Sequence, residues 1–436
     1  MSLAGAALLI GSLALVACSR GPAAPLAATS SAPLAAGLPR ESAAQAPASA
    51  TSATNSPELA PAIATAVPDG DSPRETPDEA KASERTFTVL ACGDILLART
   101  PGKRAAERGY RYLFEGVRDL VSEADIAFAN LETPASYLGM PYPGKPENVT
   151  FRADPATLFG AAWAGFDVLS LANNHSTDYG PRALGETLDF IDLLGMSRCG
   201  AGADIDEARR PAVVTRDGAR FAFLAYAEPI WSVVEARKSF DRTRTARAEE
   251  RLHGPLPPPP PPSAPDAPRA RAAGVAPAVP ADMLADIARV RRELSPDYLF
   301  VSVHWGDEHQ HLPNSFQRSL GRAAIDAGAT AVLGHHPHVL QSIERYNDGL
   351  IIYSLGNFIF DMAADHTYET AAIRLVLSGG ALDRIEIVPI RIERGTFVPS
   401  LATSEDSRAR ILDIERWSGR LGVETAEDGR SAKVFF

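Results

Sequence analysis

Seven short apolar runs, separated by segments of helical periodicity, limit what this chain can fold into. The first run, TFTVLACGD, begins at residue 86, and the others lie at residues 124–132, 166–175, 220–228, 297–306, 329–336 and 350–358. The segments with helical periodicity are 110–122, 154–164, 181–194, 282–294 and 315–327. Nearly continuous apolar strands that alternate with helices are typical of an α/β protein whose sheet is covered on its faces. We therefore predict an α/β fold.

The first 18 residues predict an export signal. Residues 3–17 form an apolar run that is shorter than the ~20 residues needed to span a bilayer but long enough for the core of a signal peptide. The run ends just before Cys18, and small residues before a cysteine resemble a bacterial lipobox, in which the cysteine receives lipid after cleavage. A chance cysteine is the alternative, and no Lys or Arg precedes the run. We predict a lipoprotein signal peptide over 1–17, lipidation of Cys18, and an extracytoplasmic protein anchored to a membrane of the bacterial cell envelope.

Two further segments are too rich in small residues and proline to build a core. Residues 18–85 are mainly Ala, Pro, Ser and Thr, with almost no large apolar side chains to offset the entropy of ordering. Residues 254–281 include six consecutive prolines, which fix φ and remove backbone donors. We predict a disordered tether, then a folded domain over 86–395 with a surface insertion at 254–281, and a C-terminal extension over 396–436 that packs on the domain. The alternating segment DRIEIVPIRIE (383–393) predicts an edge strand.

Charge and cysteine content exclude several classes of protein. The chain has 43 basic and 54 acidic residues and a net charge of −11, whereas nucleic-acid-binding proteins carry a basic surface. Its three cysteines, Cys18, Cys92 and Cys199, show no C-x-x-C spacing and are too few for a disulfide framework. We therefore expect no nucleic-acid partner and a fold that is stabilised by core packing.

Polar side chains of metal-binding type follow strand after strand. In open α/β sheets, ligands bind beyond the carboxyl ends of the strands. The residues at these ends are Asp94, Asn130, Glu132, Asn173, Asn174, His175, His304, Glu308, His335, His336 and His338. Imidazole, carboxylate and amide oxygen together suit Zn, Mn, Fe or Ni better than Ca or Mg, which prefer all-oxygen ligands.

Three histidines within four residues (335–338) are the sharpest signal in a chain with nine histidines. Taken alone, Asp94 could cap a turn or a helix, Glu132 could be a solvated loop acid, and His175 could be a structural histidine. If the central strands are parallel, however, these strand ends meet at one edge, and one shared site explains all of them. We predict a metal site there and interpret His309 and His311 as loop surface.

The motifs at these strand ends closely resemble those of one family. They are GDILL (93–97), ANLETP (129–134), LANNHSTDYG (171–180), VHWGDEH (303–309), GHHPHVLQSIE (334–344) and YSLGNFIFD (353–361). In this order, over residues 86–395, they resemble the bacterial capsule synthesis family CapA, which is linked to poly-γ-glutamate capsules and belongs to the calcineurin-like metallophosphoesterase superfamily. The resemblance implies a layered α/β/β/α sandwich with a metal centre between the strand-end loops.

The resemblance also implies roles for individual residues. Asp94 is similar to the first metal-ligand aspartate of the superfamily, Asn174 and His175 to its Asn-His pair, His304 to its isolated histidine, and His336 and His338 to its closing His-x-His. With Glu132 added, the implied ligands of one or two divalent metals (Mn, Zn or Fe) are Asp94, Glu132, Asn174, His304, His336 and His338. The implied catalytic residues are His175, Asp94 and Asn174. Two positions depart from the superfamily pattern: Leu96 replaces the histidine of Asp-x-His, and Asn130-Leu131-Glu132 replaces Gly-Asp-x-x-Asp.

Two functions remain open at this point. In the first, the metals activate a water that attacks a phosphoryl or acyl centre while His175 protonates the leaving group. The substrate is then a phosphoester or an anionic polymer with γ-glutamyl amide links. In the second, which Leu96 favours, the protein is a non-catalytic, lipid-anchored accessory that binds a polyanionic polymer within a capsule synthesis or export machinery. An enzyme needs metal and releases product, whereas a scaffold binds polymer without product.

Overall fold

Residues 85–229, 235, 273–419 and 421–435 are described by a computed structural model of the chain. Within these ranges two β-sheets face each other, and helices pack on their outer sides. No helix in the same ranges combines the length and the apolar character that a membrane crossing requires. The predicted signal peptide, Cys18, the predicted tether up to residue 84 and most of the proline-rich insertion lie outside the described residues.

The larger sheet supplies one half of the strand ends. Its ten strands among the described residues are β1 (Thr86–Ile95), β2 (Ile126–Leu131), β3 (Val168–Ser170), β4 (Ser197–Cys199), β13 (Asn357–Ile359), β14 (Glu369–Ser378), β15 (Ala381–Ile392), β16 (Pro399–Leu401), β17 (Val423–Thr425) and β18 (Ala432–Phe435). Strands β1 to β4 are parallel neighbours in sequence order, as expected for strands joined by helical crossovers. Strand β14 pairs antiparallel with β1 and extends the sheet towards the C-terminal strands.

The smaller sheet supplies the other half of the strand ends. Its strands are β6 (Ala212–Arg216), β7 (Ala219–Ala227), β9 (Tyr298–His304), β10 (Ala331–His335), β11 (Ile343–Tyr346) and β12 (Gly349–Ile352). Strands β7, β9, β10 and β12 are parallel. The short strands β5 (Ala201–Gly202) and β8 (Gly274–Val275) form a separate antiparallel pair.

Helices cover the outer faces of both sheets. They are α1 (Arg99–Arg108), α2 (Arg118–Ser122), α3 (Leu158–Ala164), α4 (Gly180–Leu193), α5 (Ile205–Ala208), α6 (Pro280–Leu294), α7 (Ser315–Asp326) and α8 (Ser404–Ser418). Helix α4 packs on β4, α6 on β7, α7 on β10 and β12, and α8 on β15 and β11. Helix α7 begins with a capping box, in which Asn314 and Gln317 satisfy each other's backbone N–H groups.

The main hydrophobic core lies between the two sheets. Phe128 of β2 stacks on Phe223 of β7, with ring centroids 5.6 Å apart and an interplanar angle of 6°. Phe87 of β1 meets Phe221 of β7 edge to face at 5.4 Å. A second buried cluster lies between the smaller sheet and helices α6 and α7. The predicted α/β/β/α sandwich is therefore confirmed.

Replacing Phe128 by alanine should lower the free energy of unfolding by about 3–5 kcal/mol, because the inter-sheet core cannot fully close the cavity that a lost phenyl ring leaves. Phe128 is fully buried, whereas Phe159 is 57% exposed. Urea denaturation followed by circular dichroism would measure the change. Phe159→Ala is the matched control and should stay within about 0.5 kcal/mol of the wild type. A similar loss in both variants would contradict this account of the core.

The structure corrects three details of the sequence-based assignment. Segment 110–122, predicted as one helix, forms a 3₁₀ turn and the short helix α2. A Cβ atom at Gly116 between them would lie 2.4 Å from the Pro399 carbonyl oxygen, so tertiary contact with β16 occupies that position. Strand β15, predicted as an edge strand, pairs with β14, β16 and β18, since the C-terminal residues add further strands to the sheet. The part of the predicted insertion from residue 273 onwards contains β8 and the start of α6.

Candidate metal centre

The strand ends of the two sheets meet through Asp94. In the pairing of β1 with β2, Asp94 lies opposite Asn130, and in the pairing of β9 with β10, His304 lies opposite His335. The Asn130 side-chain amide donates to Asp94 Oδ1 at 2.8 Å, and His335 Nδ1 lies 3.0 Å from the same oxygen. A carboxylate from the larger sheet and a histidine from the smaller sheet are thus in direct contact.

Glycines before two of these residues allow the backbones behind them to approach closely. A Cβ atom at Gly93 would lie 2.1 Å from the Gly356 carbonyl oxygen, and one at Gly334 would lie 1.9 Å from the Tyr353 carbonyl oxygen. Real Cβ atoms do not make contacts this short. The glycines of the Gly-Asp and Gly-His-His motifs therefore place the site residues against the segment that connects β12 and β13.

Glu132 lies at the centre of the cluster. It is fully buried, and neither of its carboxylate oxygens has a hydrogen-bond partner. Its Oε1 atom lies 3.7 Å from His304 Nε2 and 3.9 Å from the Nε2 atoms of both His175 and His338. Burial and the nearby charges of Asp94 and Glu308 raise the pKa of Glu132 well above its usual value. The positive charge of Lys145 opposes this rise in pKa but does not offset it.

Asp94, unlike Glu132, has hydrogen-bond partners for its carboxylate. Burial alone would raise its pKa, but the hydrogen bond with His335, the charges of His335 and His338, and the bond from Asn130 bring it below the usual value. The backbone N–H of His336 also donates to Asp94 Oδ2, at 3.3 Å. Asp94 thus stays ionised while its orientation is fixed from both sheets.

Two histidines near these carboxylates, His304 and His336, have pKa values below the usual value. Burial, together with the neighbouring His336, lowers the pKa of His304 well below its usual value. Burial and the neighbouring His338 lower the pKa of His336 to about 3. A metal ion binds histidine only in its neutral form, so these imidazoles are in the protonation state that a ligand needs. His304 Nε2 also lies 2.9 Å from Asn174 Oδ1.

The loop after β10 carries an unusual backbone. His336 has φ 97° and His338 has φ 57°, so two non-glycine residues within three positions lie in the left-handed region. Such conformations cost free energy and cluster at functional sites. His338 Nδ1 lies 2.9 Å from the side-chain oxygen of Asn357, which orients the ring and leaves Nε2 directed towards Glu132. The loop is therefore shaped to point both imidazoles into the cluster.

These residues fit a divalent transition metal. Two ligand atoms that each lie 2.0–2.2 Å from one ion are at most about 4.4 Å apart, and the distances from Glu132 Oε1 to the three Nε2 atoms fall within this limit. One ligand atom each from Asp94, Glu132 and His304 lie within 4.8 Å of one another, and so do atoms from Glu308, His336 and His338. A bound cation would supply the partner that the buried Glu132 carboxylate, which faces three imidazole nitrogens, otherwise lacks.

His175 lies at the side of the cluster and is braced by two residues that the sequence did not single out. Its Nδ1 atom lies 2.9 Å from Asp178 Oδ2, and Asp178 forms a buried ion pair with Lys145. Lys145 Nζ also donates to the Asn174 carbonyl oxygen at 3.0 Å. Phe151 stacks on the His175 ring at 4.1 Å. The ring is held on three sides, with Nε2 directed towards Glu132.

All seven predicted site residues in the described ranges come together here: Asp94, Glu132, Asn174, His175, His304, His336 and His338. Their roles as ligands or catalysts remain predictions. Asn173, noted only as a strand-end residue, bonds to Asn130 and the Leu131 carbonyl and thereby braces the loop. Cys92 and Cys199 are buried free thiols.

The sequence analysis assigned no role to Lys145 or Asn357. Lys145 lies in an irregular segment without periodicity, so no local pattern indicates that it reaches the site. Asn357 and Asp178 lie inside the motifs 353–361 and 171–180. Their place in these motifs was the one feature of the sequence that could have indicated a role at the site. His309, interpreted as loop surface, is partly exposed and lies 3.1 Å from His366, Nδ1 to Nε2.

Comparison with known proteins identifies the family. Residues 88–362 match the family described as Bacterial capsule synthesis protein PGA_cap. The chain is 28% identical over 325 residues to the capsule biosynthesis protein CapA of Bacillus anthracis. The alignment covers 74% of this chain and 71% of that protein. The chain is also 28% identical over 343 residues to the PGA biosynthesis protein CapA of Bacillus subtilis, covering 78% and 81%.

A third relative is a probable polyglutamine synthesis accessory protein of Mycobacterium tuberculosis, 28% identical over 379 residues, with coverage of 77% of this chain and 92% of that protein. The family match spans well over half of the chain and includes every residue of the cluster described above. The chain therefore belongs to the family of bacterial capsule synthesis proteins that includes CapA.

Proposed function

We propose that this protein is a metal-dependent hydrolase of the bacterial cell envelope that acts in capsule or poly-γ-glutamate synthesis. The observation that carries the proposal is Glu132, a buried carboxylate without a hydrogen-bond partner that faces three imidazole nitrogens at 3.7–3.9 Å. The substrate is an anionic phosphoester or a γ-glutamyl amide in an anionic polymer. The names of the Bacillus relatives, capsule and PGA biosynthesis proteins, support the choice of polymer.

Each residue of the cluster has a distinct task in this proposal. Asp94, Glu132, Asn174, His304, His336 and His338 hold one or two divalent metals, with Mn, Zn or Fe as the candidates from the donor types. When bound, such a metal acts as a Lewis acid and activates water for hydrolysis. Asn130 and His335 orient Asp94, and Asn357 orients His338. Orienting partners of this kind affect metal affinity although they touch no metal.

His175 is the proposed proton donor to the leaving group. Asp178 binds its Nδ1 side and thereby fixes the tautomer and the ring orientation, so that Nε2 is the nitrogen that faces the reacting groups. Lys145 balances the buried charge of Asp178. Burial lowers the pKa of His175 even though Asp178 opposes this effect. An imidazolium formed in this setting therefore gives up its proton readily.

We further propose that Cys18 anchors the protein to the membrane and that residues 18–85 act as a tether. The apolar run before Cys18 and the small, proline-rich residues after it support this arrangement. The partners would be the capsule or polymer synthesis machinery at the membrane surface.

A non-catalytic polymer-binding accessory is the second candidate. Its specific support is Leu96, which is apolar and fully buried two residues after Asp94, so that position offers no ligand. The full burial of Asp94 and Glu132 also limits access to the centre. In this role the cluster would be structural, and the protein would bind polymer without cleaving it.

Turnover of simple substrates separates the two candidates. The metal-reconstituted protein should release p-nitrophenol from bis-p-nitrophenyl phosphate or p-nitroaniline from a γ-glutamyl anilide. A chelator should abolish the release, and added Mn or Zn should restore it, because the proposed reaction depends on a metal ion as its Lewis acid. Size-exclusion chromatography of poly-γ-glutamate would detect chain cleavage. Binding of the polymer with no product from any of these substrates would favour the accessory role.

A further inference from the structure

A loop beside the centre exposes large apolar side chains. Residues 137–144 have the sequence YLGMPYPG and carry no charge. Tyr137 is 64% exposed, Leu138 39%, Met140 75% and Tyr142 38%. Single apolar residues on a protein surface are ordinary, but neighbouring ones that together form an exposed patch mark a binding surface. This segment, the apolar loop, is therefore a candidate binding surface.

Hydrogen bonds and close packing hold the apolar loop in its exposed position. The Glu186 carboxylate accepts a hydrogen bond from the Tyr137 backbone N–H at 2.8 Å, and the Tyr142 backbone N–H donates to the Asp178 carbonyl oxygen at 2.7 Å. A Cβ atom at Gly139 would lie 2.0 Å from the carbonyl oxygen of the residue that precedes α4. The loop backbone is thus fixed against the domain, and burial of its four large side chains would require these contacts to break.

Two exposed arginines lie next to the apolar loop. The central carbon of the Arg152 guanidinium lies 4.2 Å from the centroid of the Tyr179 ring, and Arg182 is in the first turn of α4. Neither arginine forms an ion pair with a residue in the ranges that the structure describes. One exposed acid, Glu147, follows the loop. In a chain with a net charge of −11, this face therefore combines an uncharged apolar loop with two positive charges.

A lipid surface fits these features better than a charged polymer does. Tyrosine combines an apolar ring with a polar hydroxyl and is enriched at membrane–water interfaces. Leucine and methionine on an uncharged loop can enter the boundary between headgroups and acyl chains without desolvation of a charge. Arginines beside the loop attract anionic headgroups. A polyanion would be bound through a row of cations, which the apolar loop does not contain.

We propose that the apolar loop inserts into the surface of an anionic lipid bilayer, with Arg152 and Arg182 in contact with the headgroups. Tyr142 in this loop is bonded to Asp178, and Asp178 Oδ2 lies 2.9 Å from Nδ1 of His175. Insertion of the loop therefore brings the strand-end cluster close to the membrane surface.

This contact differs from the proposed lipid anchor. A tether of residues 18–85 would not by itself determine which face of the domain meets the membrane, whereas insertion of the apolar loop would. The inference requires neither lipid on Cys18 nor turnover at the centre. It can therefore fail while the proposed function stands, and it can hold if the proposed function fails.

A fluorescent probe on the apolar loop tests the inference. In the full-length chain, Cys18→Ser prevents lipidation, and Cys92 and Cys199 are buried, so the environment-sensitive fluorophore nitrobenzoxadiazole is attached at the cysteine introduced by Met140→Cys. Vesicles of phosphatidylcholine and phosphatidylglycerol should shift the emission to shorter wavelength, because the probe leaves water. Doxyl-labelled lipids in the same vesicles should quench the emission.

The matched control carries the probe at Leu412→Cys in the same Cys18→Ser chain. Leu412 is 62% exposed in α8, which packs on β15 and β11. Its emission should not shift when vesicles are added. Adsorption through the residues before 85 is the same in both labelled chains, so the difference between the two positions reports on the apolar loop.

The role of the two arginines is tested in the labelled Met140→Cys chain. Arg152→Gln together with Arg182→Gln should weaken the apparent affinity for the anionic vesicles by about 10-fold, because each arginine near an anionic lipid surface contributes to binding. Added salt should weaken the affinity in the same direction. Lys433→Gln removes an exposed positive charge on β18 and should leave the affinity close to that of the parent chain.

Four results would count against the inference. The absence of a shift at position 140 with either lipid mixture would overturn it. Equal shifts at positions 140 and 412 would overturn it too, since the chain would then adsorb through another surface. A shift at position 140 with poly-γ-glutamate in solution but not with vesicles would make the loop a polymer contact instead. An unchanged affinity after loss of both arginines would exclude them from the contact.

Discussion

The double variant His336→Ala, His338→Ala is expected to lose its bound metal and to lower turnover by more than about 100-fold. Both imidazoles point into the cluster, and one of them lies within 4 Å of Asp94 and Glu132. Loss of a partner that merely orients a ligand costs 10–100-fold in metal affinity or activity, so loss of two ligands should cost more. Plasma mass spectrometry would give the metal content of the purified protein, and the hydrolysis of p-nitrophenyl esters would give the rate.

The fold should survive this change. Alanine is less common than histidine in the left-handed backbone region, so the change at 336 and 338 costs some stability, but Asp94 keeps its bonds to Asn130 and His335. Asn357 loses one hydrogen bond, worth about 1 kcal/mol.

The double variant His309→Ala, His366→Ala is the matched control, since it removes two imidazoles that are in neither ligand group. It should keep its metal. Near-stoichiometric metal in the His336, His338 variant would contradict the proposed centre, and absence of metal from the wild type after reconstitution would favour the polymer-binding accessory.

Much of the site was predictable because it depends on one regular property of parallel sheets. The apolar runs that end at Asp94, His304 and His335 are local in sequence, and the carboxyl ends of parallel strands meet at one edge. The structure bears this out through pairing registers that place Asp94 beside Asn130 and His304 beside His335. What the runs do not contain is information on which sheet each strand joins, because an apolar run buried on both faces looks the same in either sheet.

The unpredicted parts depend on contacts that are distant in sequence. Lys145 reaches Asp178 from 33 residues away and comes from a segment without periodicity. The break in segment 110–122 coincides with close packing of Pro399 on Gly116, nearly 300 residues later. The alternation of apolar and polar residues in β15 predicts an edge strand, but residues 432–435 pair with β15 and cover that edge. A local sequence pattern contains no information about contacts with residues that are distant in sequence.

His175→Ala is expected to slow hydrolysis by about 10²–10⁴-fold for substrates with poor leaving groups, and by much less for p-nitrophenyl esters. A general acid is needed only when the departing oxygen or nitrogen is too basic to leave as an anion. The rates of the wild type and the variant would be measured on a series of aryl phosphates of increasing leaving-group pKa. The variant should show the steeper dependence on that pKa, while its metal content stays unchanged.

The variant at His175 is a cleaner test than one at Asp178. Removing the Asp178 carboxylate would leave the buried ammonium of Lys145 without its partner, and an unpaired buried charge destabilises the fold by several kcal/mol. His175→Ala keeps that ion pair intact and removes only the ring that Phe151 covers.

The metal content decides between the two roles that geometry leaves to His175, because its Nε2 atom is as close to Glu132 Oε1 as that of His338. If the variant loses metal and slows equally on every ester, His175 is a ligand and not the acid. If it keeps its metal and full activity on all of them, the proton comes from elsewhere, and the buried Lys145-Asp178-His175 contacts serve stability alone.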